Sequence, residues 1–262
     1  MKKSTIVLLI ALVMFLCGVG CTVYGVTSQM DKVADSSENL IDSAGIKKIE
    51  IDALASSVEI KPSPDDKIHI TYKDALFCKF NHTVKDGELK IECTDVIPHI
   101  SFGITFGTQT SSKVVVLIPD YTTAKVDVEL DVGAFSMKDI TVAGNISVES
   151  DAGEIKLENV NGVTASLKND VGTVKVNNCN FDALDVSSDV GNIELEKLDC
   201  KDISLTNDVG DIKGTLCGSD VDYTIDCESD IGDCNISDRV GGERKLKIKS
   251  SIGDINIKFE NT

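Results

Sequence analysis

Laid against itself, the chain repeats one short pattern seven times. The copies are LDVGAFSM at Leu130, SDAGEIKL at Ser150, NDVGTVKV at Asn169, SDVGNIEL at Ser188, NDVGDIKG at Asn207, SDIGDCNI at Ser229 and SSIGDINI at Ser250. Their spacings are 20, 19, 19, 19, 22 and 21 residues. A unit this short cannot bury its apolar face alone, so a regular period implies that each copy stacks on its neighbours. Within a copy, counted from the Asp, the fourth residue (Phe135, Ile155, Val174, Ile193, Ile212, Cys234, Ile255) and the sixth (Met137, Leu157, Val176, Leu195, Gly214, Ile236, Ile257) form one inward strand face. A second apolar pair falls five and three residues before the next Asp, as in Ala165 with Leu167 and Ile203 with Leu205, and Ile140, Val160, Cys179, Leu198 and Cys217 share a further apolar position. Such alternation at period two marks half-buried strands. The expected fold is therefore all-β: a single-stranded β-solenoid, parallel β-helix-like, with rungs of about 20 residues.

The D-x-G corner reads first as a folding device. Gly133, Gly153, Gly172, Gly191, Gly210, Gly232 and Gly253 suit a bend at positive φ, which residues with a Cβ resist. Asp131, Asp151, Asp170, Asp189, Asp208 and Asp230 could accept the backbone N–H two residues on as an Asx-turn, and the preceding Ser or Asn could form a ladder from rung to rung. Stacked carboxylates at about 4.8 Å would repel by about 0.9 kcal/mol per adjacent pair in water. Calcium would relieve this, but calcium-binding β-rolls repeat a glycine-richer nonapeptide that this period does not match. Ser251 replaces the carboxylate in the last copy.

The chain has 262 residues and a net charge of -17, with only two arginines, Arg239 and Arg244, and three histidines, all before the repeats. Phosphate binding needs clustered Lys and Arg, so nucleic acid is excluded as a partner. Neither catalytic, cofactor-binding nor metal-ligating residues can be nominated, and no cofactor is expected. Lys2 and Lys3 precede an almost wholly apolar run from Thr5 to Val26. As a helix it would span roughly 33 Å, enough for a hydrocarbon core of about 30 Å. The positive-inside rule then places the following chain outside. A cleaved signal peptide ending near Gly18-Val19-Gly20, or lipidation at Cys21 after Gly20, are the competing readings. The expected organisation is an N-terminal transmembrane helix over 1–30, a polar juxtamembrane linker over 31–43, an N-terminal β region over 44–130 that opens the solenoid, and the repeats over 131–262. The expected location is the cell membrane, single-pass, with the C-terminal domain extracytoplasmic.

Seven of the nine cysteines follow this segment. Cys179, Cys217, Cys227 and Cys234 occupy positions that are aliphatic in other copies and read as buried small hydrophobes. Cys200 falls off the pattern, Cys78 with Cys93 could form a bridge, and no C-x-x-C supports a zinc or thioredoxin-type site.

The opening IKKIEIDALASSVEIKPSPDDKIHITY, then GELKIE, VVVLIPDYTTAKVDVELDVGAFSM and the succeeding D-x-G-x-I-x-L copies resemble the DUF4097 family over about residues 45–258. That family is a group of bacterial β-strand-repeat proteins regarded as adhesins, often behind an N-terminal membrane segment. The resemblance implies a solenoid surface domain and transfers no catalytic or ligand-binding residue. Three functional classes follow. The first is a non-enzymatic, membrane-anchored module for adhesion, envelope interaction or sensing, whose partner is an envelope protein or a surface glycan. The second is a self-assembling scaffold of the bactofilin type, in which the C-terminal strand, INIKFENT, with only modest protection from Lys258 and Glu260, would pair with another chain. The third is a polysaccharide-active β-helix enzyme, which the absence of Trp and the variable outward positions disfavour.

Overall fold

Alternating apolar residues turn inward throughout the repeat, and the chain coils about them as a parallel β-solenoid. The computed structural model describes residues 37–73, 79–94, 112–122 and 124–260. The expected transmembrane segment lies outside the described residues, among which no helix is long and apolar enough to cross a membrane. The first strands are β1 (Ser37–Asp42), β2 (Lys48–Pro62), β3 (Lys67–Lys73), β4 (Lys79–Lys85), β5 (Glu88–Thr94) and β6 (Ser112–Ile118). The stack itself is built from β7 (Lys125–Val171), β8 (Val174–Asn177), β9 (Asn180–Val190), β10 (Ile193–Val209) and β11 (Ile212–Cys217). It is completed by β12 (Tyr223–Ile231), β13 (Arg244–Ile252) and β14 (Ile255–Glu260). A single 3-10 turn, Asp220–Asp222, interrupts the strands.

The inward positions expected from the period form one continuous core. Ile155, Val174, Ile193 and Ile212 are all 0% exposed. They stack in register, Ile155 on Val174, Val174 on Ile193 and Ile193 on Ile212. Cys179 and Cys217 are buried there, as expected. Cys200 is also on the pattern, contrary to the expectation from sequence. It pairs with Phe181, which pairs with Gly162, and is buried. The position takes a small, a large and a medium residue in successive rungs. A Cβ on Gly162 would come within 3.0 Å of the Phe181 ring, so the glycine makes room for the phenyl group and thereby hides the periodicity.

The N-terminal region begins the stack earlier than the corners suggest. β2 pairs in parallel with β7, placing Val58 beside Phe135 and Ile60 beside Met137. It is a complete rung whose corner is ALASS instead of D-x-G, so the signature missed it. Beyond β2 the rung divides, with β5 pairing its first half and β6 its second. Both halves are then closed by antiparallel strands, β4 on β5, and β3 and β1 beyond β6. Ser37–Asp42 is thus a strand, not linker. Only Ile41 packs on the core while Leu40 stays exposed, a signal too weak to read as alternation.

The C-terminal end departs from sequential stacking. β10 pairs with β13, and β13 pairs with β12. Likewise β11 pairs with β14. The seventh copy therefore lies between the fifth and the sixth, and the sixth forms the end of the stack. Charge favours this order: Lys245, Lys247 and Lys249 on β13 face Asp202 on one side, and Asp226 and Glu228 on the other. Lys245 reaches Asp202 at 3.3 Å, and Lys249 reaches Glu228 at 2.7 Å. Arg244 anchors the inserted strand, pairing with Asp199 at 2.8 Å and donating to the Cys217 carbonyl at 3.1 Å beside the buried Tyr223.

The strand expected to be an open edge is covered over its first residues, where the Ile255 N–H donates to the Asp233 carbonyl, the Asn235 N–H to the Ile255 carbonyl, and the Ile257 N–H to the Asn235 side chain. The actual terminal strand, β12, is covered over its first half by residues 238–242. Ile225 and Arg239 exchange backbone hydrogen bonds, and the Asp238 carboxylate accepts the Cys227 N–H. This is the edge protection that a solenoid end requires.

Candidate functional site

The corner that recurs along the stack sorts its residues into an inner and an outer set. Each glycine adopts a φ between 133 and 150°. Conformation is only part of the demand. A Cβ on Gly191 would lie 1.7 Å from the Gly172 carbonyl oxygen, and one on Gly172 would lie 1.8 Å from that of Gly153. The same holds for Gly133, Gly153, Gly210, Gly253 and Gly232, each against the rung beneath it. Only a residue without a side chain lets successive corners nest so closely.

The Ser or Asn before the Asp points inward. Ser150, Asn169, Ser188, Asn207 and Ser250 form a buried column. The ladder is partly as expected: Asn169 donates to the Gly153 carbonyl at 3.1 Å and Asn207 to that of Gly191 at 3.0 Å. These bonds run from side chain to backbone, not between side chains.

Asp131, Asp151, Asp170, Asp189, Asp208 and Asp230 face solvent. They make no Asx-turn, which corrects the sequence reading. The carboxylate ladder sits instead one residue beyond the glycine, where Asn192 accepts from the Asp211 N–H at 3.0 Å, Asp211 from Asp254 at 3.1 Å, and Asp254 from Asp233 at 3.0 Å. The backbone explains the exchange. The extended conformation through Asp and x leaves their N–H groups to the neighbouring rungs, whereas the residue after glycine meets the next rung's amide directly. Burial, and the charges of Asp151 and Asp52, push the Asp131 carboxyl above its ordinary range. Because the sixth and seventh copies are exchanged, Ser251 falls between Asp208 and Asp230 and interrupts the row of charge. No cluster of three or more metal-ligating side chains occurs among the described residues.

The residue between Asp and Gly forms a row of its own. Val132, Ala152, Val171, Val190, Val209, Ile252 and Ile231 follow one another up the stack. The six β-branched members are 42 to 64% exposed. Together they make an apolar ridge roughly 29 Å long at the strand spacing. The Asp row flanks it on one side, and Glu154, Asp211, Asp254 and Asp233 lie on the other. Its sequence signal was available, since x is apolar in all seven copies although it occupies an outward position.

Two other features are structural. Asp139, Asn159, Asn178 and Lys197 have φ of 50–57° and form the second corner of the first four copies. There Asn159 donates to Asp139 at 2.6 Å and Asn178 to Asn159 at 2.7 Å. Asp and Asn tolerate this conformation best among residues with a Cβ, and their recurrence eight residues after the corner Asp was the readable signal. On the outer face of β8, β10, β11 and β14, a shallow groove of about 410 Å³ is lined by Lys175, Glu194, Glu196, Lys213, Asn256 and Lys258 among others. Lys175, Glu194 and Lys213 alternate in sign from strand to strand, the arrangement expected of a solvated face holding its register.

The fold is a β-solenoid, with one edge that combines an apolar ridge and flanking carboxylates. A family model described as Toastrack DUF4097 matches residues 46–262, and the chain belongs to that family. Among solved structures, a candidate cell-adhesion protein from Clostridium sporogenes is 14% identical, with a TM-score of 0.36, over 86% of this chain and 100% of its own. A candidate lipid-binding protein from Parabacteroides distasonis is 13% identical, with a TM-score of 0.43, over 87% of this chain and 97% of its own. A candidate adhesin from Bacteroides fragilis is 13% identical, with a TM-score of 0.31, over 85% of this chain and 97% of its own. No curated protein matches.

Proposed function

We propose that this chain is a membrane-anchored, extracytoplasmic and non-enzymatic binding module of the adhesin or envelope-interaction kind, and that it engages its partner along the D-x-G edge. The observation that carries the reading is the exposed ridge of Val132, Val171, Val190, Val209, Ile252 and Ile231, with Ala152 between the first two. Folding does not require it, because the inner residues of the corner hold the stack together. A polar residue at x would keep the chain soluble at no cost to the core. Contiguous exposed apolar surface on a soluble domain marks an interaction site, and long solenoid faces suit extended partners. Flanking carboxylates favour a partner that presents basic groups beside its apolar ones.

End-to-end self-assembly is the weaker reading. Antiparallel pairing closes one end through β1 and β4, and the Ile225–Arg239 exchange covers the first half of β12 at the other.

The test compares the full-length protein with a triple variant, Val171→Thr, Val190→Thr and Val209→Thr, for binding to isolated envelopes after membrane extraction. The reading expects at least a tenfold loss of binding with an unchanged circular dichroism spectrum. Equal binding by a folded variant would contradict it. Protease added to intact cells is expected to remove the chain beyond Ser37 and leave a membrane-bound stub.

A further inference from the structure

The two inward positions that flank each corner are Val128 with Phe135 in the first copy and aliphatic in every later interior rung. Leu167 with Val174, Val186 with Ile193, Leu205 with Ile212, and Ile248 with Ile255 are all at most 1% exposed. In the terminal rung both are cysteine. Cys227 is in register with Ile248, and Cys234 bridges Ile255. Both thiols are free and half-buried, packed against the core where no further rung covers them. Cys234 donates to the Ile236 carbonyl at 3.2 Å, which holds its sulfur at the inner side of the corner. The Cys227 thiol is pushed up to about 12, first by burial and then by the Cys234 thiol beside it. Elsewhere in the chain Cys93 is disulfide-bonded, while Cys78, its expected partner, lies outside the described residues.

We propose that Cys227 and Cys234 form a disulfide that staples the terminal corner of the solenoid. An interior rung is held by a neighbour on each side, whereas this one has a neighbour on one side only. A covalent link between its two strands supplies what the missing rung would have provided. The loop it closes contains Ile231 and Gly232, so it also fixes the end of the exposed ridge. The oxidant is a low-molecular-weight disulfide of the glutathione type. One protein thiol, as thiolate, attacks RS–SR to give a mixed disulfide and releases one RSH. The second protein thiolate attacks the mixed disulfide at its protein sulfur and releases the other RSH. One protein S–S bond forms, the RS–SR bond breaks, and the two electrons and two protons end on the two RSH molecules. Burial keeps the Cys227 thiol protonated at neutral pH, so its reaction quickens as pH rises.

The experiment treats the full-length protein with oxidised glutathione under native conditions, alkylates the remaining thiols, and maps disulfides by digestion and mass spectrometry. The expected result is a peptide pair joined through Cys227 and Cys234, with Cys179, Cys200 and Cys217 still alkylated after denaturation. Tm should rise by roughly 5 °C on oxidation and return on reduction. A double variant, Cys227→Val with Cys234→Val, reproduces the side chains of interior rungs and should fold with no Tm response to oxidant. Free Cys227 and Cys234 after prolonged oxidation, pairing of either with another cysteine, or an unchanged Tm response in the double variant would each overturn the proposal.

Discussion

The regular stack from β7 to β11 and the end built from β12 to β14 carry the same motif, yet they assemble by different rules. In the first, each rung lies on the one before it in sequence. In the second, the chain passes one place, lays down the sixth copy, and returns to fill the gap with the seventh. Period and apolar pattern dictate what a rung looks like, and every copy satisfies that demand. They do not dictate which rung is next. The neighbour is chosen by features outside the pattern: the longer 22-residue interval after Asn207, the three outward lysines of β13, and the Arg244 anchor. A strand inserted last into a gap must also wait for its own synthesis, so the end closes later than the stack.

The largest expected effect comes from the corners. Gly191→Ala forces a Cβ onto the Gly172 carbonyl and should cost about 3–5 kcal/mol, seen as a large fall in Tm. Gly241→Ala, in the loop over the shuffled end, also meets positive φ but no atom within 4 Å, and should cost about 1 kcal/mol. Equal losses would mean that corner nesting is not what holds the regular stack.

Removing the anchor should separate the two regions. Arg244→Ala breaks the contacts to Asp199 and the Cys217 carbonyl, and should cost about 1–3 kcal/mol. Hydrogen exchange should quicken in β12 to β14 while β7 to β10 keep their protection. Uniform quickening would show that the end is not a separate cooperative unit. A smaller change is expected from Lys247→Glu, which faces Asp226 with a like charge and should cost about 0.5–1 kcal/mol, less at high salt.

The smallest effects are electrostatic and opposite in sign. Glu50 is held at about 2, chiefly by its hydrogen bond from Lys48, so its contribution is complete above the ordinary 4.5 and is lost as pH falls through about 2. Asp131 is raised, so its ionised form weakens the fold and acidification relieves it. Glu50→Gln should therefore flatten the loss of stability on acidification. Asp131→Asn should raise stability at neutral pH and steepen its loss in acid. Tm measured from pH 2 to 7 checks both.

Much of this was legible in the residues. The inward faces from Phe135 to Ile257 and the seven corner glycines follow directly from a 19 to 22-residue period. Cys200 was misplaced because its column includes Gly162, where packing against Phe181 replaces a side chain. β2 is expected as part of the β region that opens the solenoid, but not as a complete rung, because ALASS stands at its corner in place of D-x-G. The Asp was assigned a local hydrogen bond because that is its habit in turns, but a nested corner gives the amides to the neighbouring rungs. The exchange of the last two copies was beyond reach, since each satisfies the same template and only lateral charge distinguishes their places. The ridge needed a single further question, why an outward residue should be apolar in every copy.

Rung order can be read directly by cross-linking. Thr206, Lys249 and Glu228 occupy one outward row, with Thr206 beside Lys249 and Lys249 beside Glu228. Cysteine pairs would be introduced as Thr206→Cys with Lys249→Cys, and as Thr206→Cys with Glu228→Cys, then oxidised under native conditions and mapped by mass spectrometry. Exchanged rungs predict a bond in the first pair, one strand spacing apart, and none in the second at about 9.6 Å. A bond in the second pair and not in the first would mean that the copies stack in sequence order, and the account of the C-terminal end would be wrong.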